Sequence, residues 1–151
     1  MDGKPASVGS DEHKLVGTMV SVTIEIPRWS FVKYALGENG RGHVEFISPL
    51  PCPFNYGFVE GLLGGDKLPL DAIVMGPRLP RGSCAYVPVR GVIHFIDNDE
   101  IDNKLVCSDQ SLRAWEVVLL RVGFPVYVRM KRFINWWKGK TGQTYSSGLR
   151  V

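Results

Sequence analysis

Short apolar runs separated by proline and glycine make up residues 15–107 of the chain. Residues 15–26 are rich in Val, Thr and Ile with partial alternation, and they predict a strand that stops at Pro27. Residues 31–47 hold two such runs around "GENGRG", which predicts a hairpin. Further runs of the same kind are "NYGFVEG", "DAIVMG", "SCAYVPVRGVIHFI" and "KLVCS". This spacing is typical of a small β-barrel or sandwich.

The periodicity becomes helical after Cys107. Residues 108–122 predict one helix, with Ser108 and Asp109 as capping candidates. Glycine and proline in "VGFP" predict a break. Apolar side chains at helical spacing then predict a second, basic amphipathic helix from Val126 to Trp137. The last residues, "GKTGQTYSSGLRV", have the composition of a loop.

Length and composition describe one soluble globular domain. The 151 residues suffice for a core without disulfides, and 44% are hydrophobic against 22% charged. We expect a flexible N-terminal tail over residues 1–14 and a single domain over 15–151. The chain has no apolar run long enough to span a bilayer and its N-terminus has no secretion signal. We therefore expect a cytoplasmic protein with no membrane partner and with buried, reduced cysteines.

The net charge of +3 conceals an uneven distribution. Residues 1–120 hold 11 Lys and Arg against 15 Asp and Glu, whereas residues 121–151 hold 7 against none. Such a basic end can bind nucleic acid or an anionic membrane. It can equally supply cations to a small polyanionic substrate that metal ions hold on the acidic body. Charge alone does not choose among these partners.

Two acidic clusters are the candidates for chemistry. "DKLPLD" places Asp66 and Asp71 around a proline, and "DNDEID" places four carboxylates between Asp97 and Asp102. Either cluster alone is more often a solvated turn, but together they offer the oxygen ligands that Mg²⁺ prefers. The chain matches neither a P-loop nor a dinucleotide-binding fingerprint, and its three histidines support no nucleophilic triad.

The order of several motifs resembles that of the soluble family I inorganic pyrophosphatases. These motifs are "IEIPRWSFVKY", "PLPCPFNYGFVEGLL", "DKLPLD", "VRGVIHFIDNDEIDNK" and "FINWWK". The resemblance covers roughly residues 20–138 and implies a mainly β, α+β fold: a closed five-stranded OB-like barrel with flanking C-terminal helices. It also implies that several Mg²⁺ ions assist the hydrolysis of pyrophosphate to two phosphates, in a protein that associates with itself as a dimer or hexamer.

The resemblance also implies roles for individual residues. The expected metal ligands are Asp66, Asp71, Asp97, Asp102 and Glu25. The expected phosphate-side groups are Lys33, Tyr56, Lys104 and Lys138. Lys138 lies in the basic end of the chain, which accounts for part of the charge asymmetry.

Three departures from the family pattern affect the expected chemistry. Leu68 stands where the family has an aspartate that orients or deprotonates the attacking water. Ala35 replaces an acid near the metals, and Phe46 replaces an arginine that grips phosphate. Leucine accepts no proton and phenylalanine donates none, so we expect a weakened or altered activity, on pyrophosphate or on a related phosphoanhydride.

Two alternatives stay open. The chain can be a catalytically degenerate homologue that binds metal or phosphate or acts in assembly, and Leu68, Ala35 and Phe46 favour that interpretation. The weaker alternative is a single-stranded nucleic-acid binder, in which Trp136 and Trp137 stack bases beside basic side chains. Tryptophans at helical spacing more often contribute to packing, so we do not expect a nucleic-acid partner.

Overall fold

The computed structural model describes residues 6–7, 12–36, 42–47, 51–63, 69–97, 99–137, 139 and 142–150. The described strands are β1 (Ala6–Ser7), β2 (Met19–Ile26), β3 (Val32–Leu36), β4 (Gly42–Ile47), β5 (Asn55–Leu63), β6 (Pro69–Val74), β7 (Cys84–Asp97), β8 (Glu100–Ile101), β9 (Lys104–Cys107) and β10 (Tyr145–Arg150). A 3₁₀ turn covers Glu12–Leu15, and the α-helix α1 covers Ala114–Trp137.

Five of these strands close into a barrel. The hydrogen-bonded order is β2, β5, β6, β9, β7 and back to β2, with β6 and β9 parallel and the other neighbours antiparallel. The predicted closed five-stranded barrel is therefore confirmed. Strands β3 and β4 form a separate two-stranded sheet, which confirms the hairpin predicted over residues 31–47.

The barrel strands have buried side chains on both of their faces. One core cluster contains Val22, Val59 and Leu105, and a second contains Ile73, Phe95 and Val106. Leu105 and Val106 are consecutive in β9 and point to opposite faces, so the two clusters lie on opposite sides of that strand. The second cluster also includes two helix residues, Leu120 and Phe124, so α1 covers one outer face of the barrel.

The helical region differs from the sequence-based expectation. A single helix runs from Ala114 to Trp137 and contains Pro125, so the predicted break and the second helix are wrong. Proline removes one helical hydrogen bond, but Pro125 is exposed and the buried Leu120 and Phe124 anchor the preceding turns. The predicted caps are also wrong, because the helix begins at Ala114. In its first turn, the Glu116 carboxylate accepts the Arg113 backbone N–H at 3.0 Å.

The C-terminal segment forms a strand where its composition predicts a loop. Strand β10 pairs antiparallel with β7, from Tyr145 opposite Ile96 to Arg150 opposite Val92. Strand β7 is 14 residues long, and the backbone N–H and C=O groups of its C-terminal half find hydrogen-bond partners in β10. Tertiary pairing thus overrides the weak strand propensity of glycine and serine in this segment.

The N-terminal region contributes one short pairing. Ala6 and Ser7 pair in parallel with Leu62 and Leu63 of β5. The flexibility of residues 1–14 and the domain boundary at residue 15 stay predictions. No helix in the described part of the chain is long and apolar enough to cross a membrane.

Candidate active site

Lys104 lies at the centre of a cluster of charged side chains. Its Nζ is 2.6 Å from Oδ2 of Asp71 and 2.7 Å from Oδ2 of Asp102. The lysine side chain is 1% exposed, against 26% for Asp71 and 17% for Asp102. One ammonium between two carboxylates leaves a formal charge of −1 in a partly desolvated place, which favours a further cation.

The barrel register brings these residues together. Asp71 on β6 is the direct partner of Lys104 on β9 in the parallel pair. Asp102 precedes Lys104 by two residues, a spacing that places both side chains on the same side of an extended chain. The β-barrel thus joins the two acidic clusters, which the sequence separates by about 30 residues.

Tyr56 completes the cluster from β5. It is opposite Ile73, two residues from Asp71, so Tyr56 and Asp71 are diagonal neighbours on adjacent strands. Its hydroxyl donates to Oδ2 of Asp71 at 2.8 Å, which is the same oxygen that Lys104 contacts. The ring centroids of Tyr56 and Phe95 lie 5.8 and 5.4 Å from Lys104 Nζ. These aromatic rings stabilise the buried ammonium through cation–π contacts.

Two further contacts hold Asp102 and Lys104 against β7. The Asp102 backbone N–H donates to the Phe95 carbonyl at 2.9 Å, and the Asn103 side-chain oxygen accepts the Phe95 N–H at 3.0 Å. The side-chain oxygen of Asn103, which lies between β8 and β9, therefore replaces a backbone carbonyl as the acceptor for the Phe95 N–H. Sequence reasoning missed Phe95 and Asn103, since neither carries a group that titrates near neutral pH.

A model of the inorganic pyrophosphatase family matches residues 22–138. The chain belongs to this family. The inorganic pyrophosphatase of Gluconobacter oxydans is 32% identical over 111 residues, which cover 71% of this chain and 62% of that protein. Soluble inorganic pyrophosphatase 2 of Chlamydomonas reinhardtii is 41% identical over 92 residues, which cover 58% of this chain and 47% of that protein. The chain thus spans less than two thirds of either of these curated relatives.

A solved pyrophosphatase structure shares the fold. The crystal structure of inorganic pyrophosphatase from Thermus thermophilus superposes with a TM-score of 0.75 at 23% identity. The match covers 99% of this chain and 90% of that one. At this level of identity the similarity establishes a shared fold and nothing about the chemistry of the site.

Several residues expected from the pyrophosphatase pattern are described only in part. Asp66, Leu68 and Lys138 lie outside the described residues. Lys33 and Asp97 are described only as backbone positions. Lys33 pairs with Phe46 across the β3–β4 hairpin, and Asp97 pairs with Glu100. Within the described part of the chain, no group of three or more His, Cys, Asp or Glu is placed to hold a metal ion.

Glu25 lies at an irregularity of the β2–β5 pairing. The register shifts between Ile24, opposite Gly57, and Ile26, opposite Tyr56. Glu25 therefore lies within β2, next to the residue opposite Tyr56, and its side chain is half-buried. Its backbone carbonyl accepts a hydrogen bond from Nε of Arg81 at 3.2 Å.

Two residues of the "PFNYGF" segment, residues 53–58, have structural roles in this chain. Asn55 is fully buried, and its Oδ1 accepts the backbone N–H groups of Arg28 and Leu79 at 3.0 and 2.9 Å. Its Nδ2 donates to the Pro77 carbonyl at 2.8 Å. At Gly57, an added Cβ would lie 1.8 Å from the Thr23 carbonyl oxygen, so only glycine fits. These two residues position Tyr56 between them.

The cysteines take no part in this cluster. Burial raises the pKa of Cys107 from 9.0 to about 12 and that of Cys52 from 9.0 to about 11. Both thiols are therefore neutral and weakly nucleophilic near pH 7. Cys84 is exposed, 2.7 Å from the Ser21 hydroxyl. All three cysteines are free, and the expectation that they are buried is confirmed for Cys107 and wrong for Cys84.

Proposed function

We propose that the chain hydrolyses inorganic pyrophosphate to two phosphates with the help of several Mg²⁺ ions. The observation that carries the proposal is the convergence of Asp71 and Asp102 on Lys104, with Tyr56 bound to the same carboxylate. Membership of the inorganic pyrophosphatase family supports this choice of reaction. In the reaction, a water oxygen forms a bond to one phosphorus as the bond from that phosphorus to the bridging oxygen breaks.

The donors in the cluster fit a hard divalent cation. Asp71 and Asp102 offer carboxylate oxygens, and their shared contact with one ammonium shows that both reach a common point. We propose that Asp66, Asp97 and Glu25 add further oxygens. When bound, Mg²⁺ supplies charge neutralisation to the substrate oxygens and acidifies a coordinated water.

The chain's own cations would hold the substrate. Lys104 places a positive charge inside the carboxylate cluster, which reduces the repulsion between the aspartates and an incoming polyanion. Tyr56 donates to Asp71 and so fixes which oxygen of that carboxylate faces the lysine. We assign Lys33 and Lys138 to the phosphate oxygens on the ground of their motif positions.

The loss of an acid at Leu68 suggests a slow enzyme. A positioned general base commonly contributes about a hundredfold to ten-thousandfold in rate. The test is phosphate release from pyrophosphate with Mg²⁺, compared with a buffer blank. Turnover that requires Mg²⁺ supports the proposal, whereas a folded protein without turnover supports the degenerate homologue that only binds metal or phosphate.

We also propose that the chain associates with a second copy through the outward face of α1. Trp115, Val118 and Val122 are each more than half exposed on this face. Arg121 and Arg129 are exposed beside them, and the one acid of the helix, Glu116, is buried. An exposed apolar surface of this kind marks an interaction site. A second copy offers apolar groups together with the acidic excess of residues 1–120, which complements the arginines.

Two exposed tryptophans are consistent with the nucleic-acid alternative, which therefore needs an experimental test. Trp136 is 71% exposed and Trp137 is 76% exposed, so the expectation that they contribute to packing is wrong. Sedimentation velocity should show an oligomer that Val122→Glu dissociates and that Val16→Glu, at an exposed site between the 3₁₀ turn and β2, leaves intact. A monomeric protein whose Trp136→Ala variant loses affinity for single-stranded DNA would instead favour nucleic acid as the partner.

A further inference from the structure

The acidic segment between β7 and β8 is a tight hairpin. Ile96 pairs with Ile101 and Asp97 pairs with Glu100, so Asp99 lies at its tip. Asp99 has a φ of +67°, in the left-handed region that Asn, Asp and Gly tolerate best. The hairpin connects Asp97 to Asp102, whose carboxylate contacts Lys104.

The tip of this hairpin is bound to the C-terminal segment by a reciprocal pair of hydrogen bonds. The Asp99 N–H donates to the Gln143 carbonyl at 2.9 Å, and the Gln143 N–H donates to Oδ1 of Asp99 at 2.8 Å. Both Gln143 groups belong to the backbone, so its side chain takes no part. The two bonds connect the acidic hairpin to a segment that lies 44 residues further along the chain.

The segment on the other side of this pair is itself anchored. The Arg132 Nε donates to the Thr144 carbonyl at 2.6 Å, which connects the segment to α1. Tyr145 and Ser146 then pair with Ile96 and Phe95 of β7. Phe95 is also the residue that binds the backbone of Asp102. The C-terminal segment thus contacts the hairpin at its tip and at its base.

We infer that Asp99 is a positioning residue, whose carboxylate clasps Gln143 and so places the neighbouring Asp97 and Asp102 for metal binding. This inference rests on the proposed function, since that function assigns the metal to Asp97 and Asp102. One oxygen of Asp99 accepts the Gln143 N–H, a role that needs an acceptor and no negative charge. The carboxylates of the segment are therefore not equivalent: Asp99 holds the hairpin, whereas Asp97 and Asp102 are assigned to the ion.

The backbone conformation provides matched variants. Asp99→Asn keeps both the acceptor and the tolerance of positive φ, whereas Asp99→Gly keeps only the tolerance. Gln143→Pro removes the donating N–H, whereas Gln143→Ala keeps it. Because one hydrogen bond is worth about a threefold to tenfold change in an equilibrium, Asp99→Gly and Gln143→Pro should weaken Mn²⁺ binding by that factor. Asp99→Asn and Gln143→Ala should stay within about twofold of the parent chain.

The measurement is Mn²⁺ binding without pyrophosphate, followed by the spin resonance of free Mn²⁺, together with hydrogen exchange at the Gln143 amide. We expect faster amide exchange in Asp99→Gly and unchanged exchange in Asp99→Asn. The combined Asp99→Gly and Gln143→Pro variant should be no weaker than either single change, because both remove the same bond.

Two outcomes would overturn the inference. If Asp99→Asn binds Mn²⁺ as weakly as Asp99→Gly, the charge of Asp99 acts on the ion directly. If Asp99→Gly binds Mn²⁺ like the parent chain, the clasp does not position the ligands. Neither readout needs turnover. A chain that releases no phosphate but shows the expected binding pattern refutes the proposed function and leaves the clasp intact.

Discussion

The hydroxyl of Tyr56 and the ammonium of Lys104 donate to the same oxygen of Asp71, at 2.8 and 2.6 Å. Three strands of the barrel thus meet at one carboxylate oxygen. Because the two donors differ in charge, removing each of them should have a different consequence.

Removing the ammonium should destabilise the protein most strongly when divalent cations are absent. Lys104→Met leaves two adjacent, partly buried carboxylates without their cation, and breaking such a buried pair costs about 3 to 5 kcal/mol. Urea unfolding with EDTA should show this loss, and added Mg²⁺ should restore part of it if the carboxylates bind the ion. Lys14→Met, at an exposed position, serves as the control and should change little. Equal stability of Lys104→Met and the parent chain would contradict the buried ion pair.

Removing the hydroxyl should have a smaller effect on stability and a clear effect on activity. Tyr56→Phe deletes one hydrogen bond to a charged acceptor, which is worth about 1.5 to 3 kcal/mol. We expect kcat to fall about tenfold, since Asp71 then loses one of the groups that fix its orientation. Tyr86→Phe, which changes an exposed tyrosine, is the matched control. A normal kcat in Tyr56→Phe would show that the hydroxyl does not matter to the reaction.

Restoring the missing acid tests whether the metal cluster is otherwise complete. Leu68→Asp should raise phosphate release at least about tenfold, a conservative part of what a general base supplies. Leu68→Asn, which has nearly the same shape but no base, should give no comparable gain. If both variants stay at the parent rate, the deficit lies elsewhere, with Ala35 and Phe46 as the next candidates.

The buried thiols predict a loss of stability at alkaline pH. In the unfolded chain a cysteine ionises near its usual value of 9.0, whereas burial raises the pKa of Cys107 to about 12. Above pH 9 the unfolded chain therefore binds fewer protons than the folded one, so the free energy of unfolding falls as pH rises from 9 towards 12. Below pH 9 the contribution is constant. Each such thiol contributes a slope of at most about 1.4 kcal/mol per pH unit.

Urea unfolding between about pH 8 and 10.5 measures this slope, since the window lies below the folded pKa of Cys107. Cys107→Ala should reduce the slope, leaving the part that Cys52 contributes, and Cys84→Ala, at an exposed thiol, should not change it. An unchanged slope in Cys107→Ala would mean that other groups cause the alkaline loss.

Two glycines should respond to alanine in opposite directions. Gly57→Ala places a Cβ 1.8 Å from a backbone oxygen of the neighbouring strand, so β2 and β5 must separate and the protein should be strongly destabilised. Gly123 is helical and has nothing within 4 Å of an added Cβ. Gly123→Ala should therefore stabilise the helix by up to about 1 kcal/mol. Thermal unfolding compares the two, and a tolerated Gly57→Ala would contradict the close strand approach.

Most of the barrel could be predicted from local patterns. The alternation in residues 15–26 and the four short apolar runs mark strands that the structure contains, and the resemblance ordered them into a closed barrel. The continuous helix could not be predicted, because its stability across Pro125 depends on Phe124 packing against Phe95, an interaction between distant residues. Strand β10 is unpredictable for the same reason, since its stability comes from β7 rather than from its own composition.

The candidate site was predictable only as a set of residue types. The motif positions named Asp71, Asp102, Lys104 and Tyr56, and the structure brings these four together. The contacts that hold them were not predictable: Asn103 substitutes for a backbone group, and Asp99 binds a segment that begins after the helix. Both roles depend on registers between strands that local sequence does not encode.

The parallel pairing of β6 with β9 has a consequence for the order of folding. Asp71 and Lys104 lie 33 residues apart, and they meet only when β6 has entered the gap between β5 and β9. Such non-local closure is slow and comes late. Partly folded chains with an open barrel therefore lack the charged cluster, and a ligand of that cluster should slow unfolding without accelerating folding. The charged cluster, and any binding that depends on it, therefore exists only in chains whose barrel is closed.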